Sequence, residues 1–129
     1  MFKICTQDQA FLPRELKERF QKVKDMGFDG YEIDGALLLN NLDEVKEAIK
    51  ETGLPVVSAC GGYRGWIGDF IEERRLNGIE DIQKILEALQ EIGGEGIVVP
   101  AAWGMFTFRL PPVIFICVSR LPDGSLDIL

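Results

Sequence analysis

Gly27-Phe28-Asp29-Gly30-Tyr31-Glu32-Ile33-Asp34-Gly35 is the stretch whose reading decides the fold. Upstream of it, Leu16, Phe20, Val23 and Met26 recur at spacings of four, three and three, the stripe of one helix face. Lys17, Glu18, Gln21, Lys22 and Asp25 fill the other face. Pro13 sits where a first helical turn tolerates proline. Gly27 then supplies the left-handed residue that ends a helix, and residues 30–33 form a strand. On a strand of an α/β protein, Glu32 and Asp34 fall at the carboxyl end, where such folds gather their chemistry.

The same grammar recurs outward from this stretch. Residues 2–6 alternate Phe2, Ile4 and Thr6 against Lys3 and Cys5, which predicts a first strand. After Gly35, residues 36–39 predict a short helical turn over the strand end. Asn41 followed by Glu44 reads as a near-capping box that opens a helix with Leu42, Val45, Ala48 and Ile49 inward. Gly53 stops that helix, and residues 54–60 predict a third strand with Pro55 at its start. Gly61-Gly62-Tyr63-Arg64-Gly65-Trp66 must bend sharply. A short helical piece ends near Arg75, and Asn77 caps a further helix with Ile82, Ile85, Leu86, Leu89 and Ile92 inward. Gly93-Gly94 stops it, and residues 96–100 predict a fourth strand whose Ile97-Val98-Val99 run suits burial on both faces.

Helix-stop glycines at 27, 53 and 93, each followed within a few residues by an apolar strand run, mark a repeated unit. Alternating strands and helices imply a parallel sheet with right-handed crossovers. The fold class is therefore α/β. After Trp103 the grammar changes. Phe106, Phe108 and Leu110 still alternate, Pro111-Pro112 breaks the chain, and residues 113–118 read as a strand before a Pro122-Asp123-Gly124 turn.

Length and composition bound the function. The chain has 129 residues, 47% hydrophobic and 27% charged, enough for one domain with a core. A net charge of −7 argues against nucleic acid or an anionic membrane as partner. There is no histidine, so the commonest metal ligand and general base are missing. Cys5, Cys60 and Cys117 are odd in number and far apart, which fits buried thiols in a reducing cytosol. Lys3, Gln7 and Asp8 interrupt any signal-peptide core, and the run 113–118 is too short to span a bilayer. A cytoplasmic location is expected.

Three stretches carry a resemblance: Met26-Gly27-Phe28-Asp29-Gly30-Tyr31-Glu32, Leu54-Pro55-Val56-Val57-Ser58-Ala59-Cys60, and Gly93-Gly94-Glu95-Gly96-Ile97-Val98-Val99-Pro100 with Trp103-Gly104 after it. Residues 1–112 resemble the N-terminal half of a sugar isomerase/epimerase barrel of the xylose isomerase-like (β/α)8 superfamily. That superfamily also contains inositol-catabolism enzymes and tagatose-type 3-epimerases. The resemblance implies a partial TIM barrel of about four parallel βα units, with residues 113–129 as an irregular tail that is an added strand or frame-altered sequence. It also implies metal-assisted proton transfer next to a sugar carbonyl in the parent reaction. The family holds its divalent metal and its catalytic acids on later strands. No position here matches them, so no catalytic or metal-binding residue is assigned, no metal is expected to bind this chain, and the chain is expected to be inactive alone. What carries over is a first half of the sugar or polyol pocket: Glu32 as a polar contact, and Trp66 and Trp103 as aromatic walls.

Each of these has a plainer reading. Glu32 could be a solvated strand-end carboxylate, Asp34 a turn or helix-capping residue, and Trp103 a partner of Phe106 and Phe108 in the core. The loop from Gly61 to Gly65, with Arg64, invites a phosphate-binding reading but lacks the Walker lysine and the G-x-G-x-x-G spacing. Cys60 has no histidine to activate it as a nucleophile. A half-barrel leaves strand edges unpaired. It should therefore form a homo-oligomer through those edges, borrow residues 113–118 as a strand, or aggregate. A small non-catalytic α/β domain that binds a ligand or partner at its strand ends is the alternative. A zinc-dependent DNA-repair endonuclease shares the barrel, but the charge and the missing histidines oppose it.

Overall fold

The computed structural model describes residues 3–100 and the backbone of 118–120 and 126–128. Strands β1 (Cys5–Gln7), β2 (Gly30–Asp34), β3 (Val56–Cys60) and β4 (Gly96–Val98) lie side by side in chain order, all parallel. Helices α1 (Leu16–Asp25), α2 (Gly35–Asn40), α3 (Leu42–Thr52) and α4 (Glu72–Ile92) connect them. Consecutive parallel strands with a helical crossover at each step are the wall of a (β/α) barrel, so the repeat seen in the sequence is the repeat of the fold.

The core lies between the helices and one face of the sheet. Leu16, Phe20 and Val23 of α1, Val45 and Ala48 of α3, and Ile85, Ala88 and Leu89 of α4 are buried with Tyr31, Ile33, Val56 and Ala59. Phe20 meets Tyr31 edge to face with ring centroids 5.2 Å apart, and both are fully buried. Burial of side chains this size contributes roughly 2–3 kcal/mol each. The Tyr31 hydroxyl is not wasted there. It donates to Asp8 at 2.5 Å, and Arg19 of α1 donates to the same carboxylate at 3.0 Å. This ties the loop after β1 to both the strand and the helix beside it.

Among the described residues, no helix covers the other face. Strict alternation along β3 would put Val56 and Ser58 on one side. The β2–β3 register instead steps from Tyr31↔Val56 to Glu32↔Ser58, so Val57 is an extra residue, a β-bulge. Val56 and Ala59 are thereby both buried with the helices, while Ser58 and Cys60 join Glu32 and Asp34 on the open face. On that face Cys5, Gln7 and Val98 are exposed. Val98 is 48% exposed, so β4 is not buried on both sides as its apolar run suggests.

Several boundaries differ from the sequence expectations for identifiable reasons. β1 begins at Cys5, and Ile4 is 63% exposed. Pro13 lies outside α1, whose cap is Glu15, with its carboxylate accepting from the Lys17 and Glu18 amides. Met26 follows α1 and is exposed, so the stripe ends at Val23. Asn41 stands at the start of α3 but makes no side-chain cap there; its amide donates to the Leu37 carbonyl and closes α2 instead. Asn77 caps nothing, because α4 runs unbroken for 21 residues from Glu72, and Leu86 within it is exposed. Cys5 is exposed and Cys60 half-buried rather than both being core thiols. Cys117 lies outside the described residues, as does most of the 113–118 run. Val118–Arg120 (β5) pairs antiparallel with Leu126–Ile128 (β6) in a separate two-stranded sheet, so this part of the tail does not extend the parallel one. No helix among the described residues is long and apolar enough to cross a membrane.

The loop after β3 is seated directly on the start of α2. Gly62 has φ +76°, and a Cβ there would overlap the Ala36 backbone nitrogen. Gly62→Ala combines a left-handed backbone with a clash against main chain that cannot rotate away. The expected cost is about 3 kcal/mol in a urea unfolding curve, whereas the same change at exposed Gly27, where nothing lies within 4 Å, is expected to cost about 1 kcal/mol.

Candidate functional site at the strand ends

The carboxyl ends of β1, β2 and β3 and the loop after β3 enclose a cleft of about 320 Å³. Its lining comprises Gln7, Asp34, Cys60, Gly61, Gly62, Tyr63, Gly65, Trp66 and Pro100. The volume suits a monosaccharide-sized ligand at the low end of small-molecule sites. A larger groove of about 570 Å³ lies on the outer side against α1 and Glu51-Thr52, with Lys17, Glu18, Gln21, Lys22 and Asp25 along it. Those are the solvated faces of amphipathic helices, far from the strand ends, and nothing there converges on a ligand.

The fold brings together three kinds of group. Tyr63 and Trp66 form an aromatic corner, edge to face at 6.4 Å with planes 80° apart, and the Tyr63 hydroxyl donates to the Pro100 carbonyl at 3.3 Å. Burial raises the Tyr63 phenol above its usual value, so it stays protonated at neutral pH. Asp34 ends β2 and accepts the Leu37 amide at 2.9 Å, capping α2 while its carboxylate lines the cleft. The capping reading of Asp34 is thus what the structure shows, and the cleft-lining position comes with it. Cys60 completes the set. Its thiol is raised above the ordinary value by burial and next by the nearby Glu32 charge, with Gln7 hydrogen-bonding it in the opposite sense. A raised thiol is a poor nucleophile.

Of the residues singled out from the sequence, Trp66 is in the cleft. Glu32 lies one pleat below it on the same open face, where the Ser58 hydroxyl donates to its Oε2 at 2.7 Å. It is half-buried and does not line the cleft itself. Trp103 lies outside the described residues. Gln7, Tyr63 and Asp34 are the cleft residues that sequence reasoning passed over or demoted. Their common signal was position, one at the end of each strand or just beyond.

Arg64 is not available to an anion. Its guanidinium grips Asp81 of α4 with Nε and Nη2, each at 2.7 Å, and its backbone amide donates to the same carboxylate at 2.9 Å. The phosphate-loop reading loses its cation to an internal bond. That bond anchors the loop carrying Trp66 to the helix behind it. Asp69, also buried, accepts the Ile71 amide at 2.9 Å and fixes the far end of the same loop. As for a metal, no group of three or more Asp, Glu, Cys or His side chains among the described residues could hold one. The described residues do not fit a metal centre.

A family model described as xylose isomerase-like TIM barrel matches residues 20–111. The 3-dehydro-D-guloside 4-epimerase of Escherichia coli (strain K12) is 73% identical over 111 residues, 86% of this chain and 42% of that protein. Among solved structures, the apo form of the 3-keto-D-glucoside 4-epimerase YcjR from E. coli superposes with a TM-score of 0.81 at 68% identity. That match covers 96% of this chain and 46% of the other. The chain spans less than half the length of these relatives.

The grip of Arg64 on Asp81 has a pH signature. Asp81 is held down to about 2, chiefly by the Arg64 hydrogen bonds and against the effect of burial. A depressed carboxyl stabilises the fold above its unfolded value near 3.8 and loses that contribution as pH falls toward 2. Asp81→Asn should therefore be less stable than the parent at pH 6. Its disadvantage should shrink between about pH 4 and 2, as read from thermal melts across that range.

Proposed function

The chain belongs to the xylose isomerase-like TIM barrel family, and from that premise we propose that it forms the first half of a keto-sugar epimerase pocket. The observation that carries this reading is the strand-end cleft, with its Trp66–Tyr63 corner facing the polar edge made by Asp34 and Gln7. Sugar rings present apolar C–H faces and a rim of hydroxyls. An aromatic wall opposite hydrogen-bonding groups matches both.

The chemistry follows from the names of the relatives. In a 3-keto sugar, C4 is next to the carbonyl, so its proton is acidified and its configuration can be inverted by removing and returning that proton. An epimerase of this kind needs a base on one side of C4 and an acid on the other. In this chain the described groups hold and orient. Trp66 and Tyr63 pack the ring, and Asp34 accepts hydrogen bonds from sugar hydroxyls while capping α2. Glu32, held by the Ser58 hydroxyl one pleat below the cleft, adds negative charge beneath the polar edge without lining it. The protonated Cys60 thiol presents an uncharged surface. We assign the proton-transfer pair and any divalent metal to segments outside this set, and we propose that the isolated 129-residue chain binds without turnover. The widely spaced cysteines suit work in a reducing cytosol.

Isothermal titration with a 3-keto-glucoside tests the reading. Saturable binding is expected. Trp66→Ala should weaken it about tenfold, roughly 1.4 kcal/mol, and Trp66→Phe should recover most of the loss. Absence of saturable binding would sink the pocket assignment. Epimerisation by the isolated chain would instead sink the division of labour.

A further inference from the structure

The aromatic corner of the cleft rests on α4, and three features make its seat. Gly78, buried within the helix, has no side chain where the loop crosses. A Cβ there would stand 3.0 Å from the Arg64 carbonyl and 3.8 Å from both the Trp66 amide nitrogen and Cδ2 of the Tyr63 ring. Gly65 meets the same helix one turn earlier. Its φ is +66°, and a Cβ on it would overlap the Arg74 carbonyl. Asp81, less than a turn beyond Gly78, holds Arg64 by its backbone amide, Nε and Nη2. Glu80 adds a second carboxylate 3.8 Å from Nη2. Glycine weakens a helix interior, and here it stands at the turn of α4 over which both aromatic residues pass.

We infer that Asp81 and Gly78 are positioning residues for the sugar-facing wall: acting through Arg64 and the loop backbone, they set where Tyr63 and Trp66 stand in the cleft. Neither residue lines the cleft itself. Within the 61–66 loop, Gly61, Gly62, Tyr63, Gly65 and Trp66 line it and Arg64 does not. Arg64 turns its amide and guanidinium to α4, and its neighbours on both sides are thereby turned to the cleft. The two anchors divide the task. A charge-assisted, forked hydrogen bond fixes direction as well as distance. The glycine seat fixes distance alone, because backbone against backbone leaves no rotamer to adjust. Tyr63 and Trp66 meet edge to face at 6.4 Å, so a shift of the loop on α4 moves a ring pair rather than one side chain. What the wall touches rests on the sugar-pocket reading. Where the wall stands is a property of the free protein and is measurable without ligand.

Two variants and one control on the full chain provide the test. Asp81→Ala removes the clamp. Gly78→Ala fills the seat while favouring the helix and leaving Asp81 and Arg64 in place, which keeps the test open should Asp81→Ala fail to fold. Val45→Ala, in the core under α3, controls for lost stability alone. The near-ultraviolet circular dichroism band of Trp66 is the difference between the parent and Trp66→Phe. That band should change in both variants and persist in Val45→Ala. Affinity for the 3-keto-glucoside should fall about fivefold in Asp81→Ala and about threefold in Gly78→Ala, less than on removing the indole, since the aromatic surface is still present. Val45→Ala should bind like the parent. A parent that shows no saturable binding sinks the sugar reading alone, and the Trp66 band then decides the positioning claim. A folded Asp81→Ala or Gly78→Ala that keeps the parent's band, or that keeps the affinity of a parent that binds, would overturn the proposal. So would equal changes in Val45→Ala.

Discussion

A parallel β-sheet is stable where both of its faces are kept from water, and in the described residues helices shield only one. The rest of the structure answers to that constraint. The helix-covered face takes the aromatic and branched side chains, Phe20, Tyr31, Ile33, Val56 and Ala59 among them. The uncovered face takes mostly small or polar side chains, Gln7, Gly30, Ser58, Cys60, Glu32 and Asp34, with Val98 on its edge strand. Those residue types tolerate a half-wet surface, and they are also the types a polar ligand would meet. Site and exposed face are thus one feature, set by which side of the sheet lacks helices.

The βα units were legible from the sequence because a glycine closes each of the longer helices α1, α3 and α4. Gly27, Gly53 and Gly93 all adopt positive φ, and a strand begins within a few residues of each. Long-range competition explains where local signals failed. Asn41 has the chemistry of an N-cap, but the preceding short helix ends on it and claims its side chain. Asn77 likewise has the chemistry of an N-cap, and the Gly78 that follows it is a residue that weakens most helix interiors. Here Gly78 is buried in mid-helix, with the Arg64 carbonyl 3.0 Å from where a Cβ would stand. Glycine at that point serves close packing of the loop on the helix. No single-residue rule separates that use from a breaker.

The site was half legible. Trp66 stood out as a large aromatic between glycines, and it is where the cleft is. Glu32 stood out as a strand-end carboxylate, and it is one pleat too deep to line the same cleft, held by Ser58. The missing information was the partner of each charge. Arg64 reads as an anion receptor in isolation, and only the fold shows that Asp81, 17 residues on, has already taken it. A charged side chain's identity is local, whereas its availability is a property of the packed molecule.

The bulge at Val57 bears on how this strand can change over time. In an ordinary strand, gaining or losing one residue turns every later side chain to the opposite face. β3 already holds a spare residue between Val56 and Ser58. Loss of Val57 would restore plain alternation and leave Ser58, Ala59 and Cys60 facing as they do now. The strand leading to the cleft therefore has one position where its length can drift while the chemistry at its tip keeps its orientation.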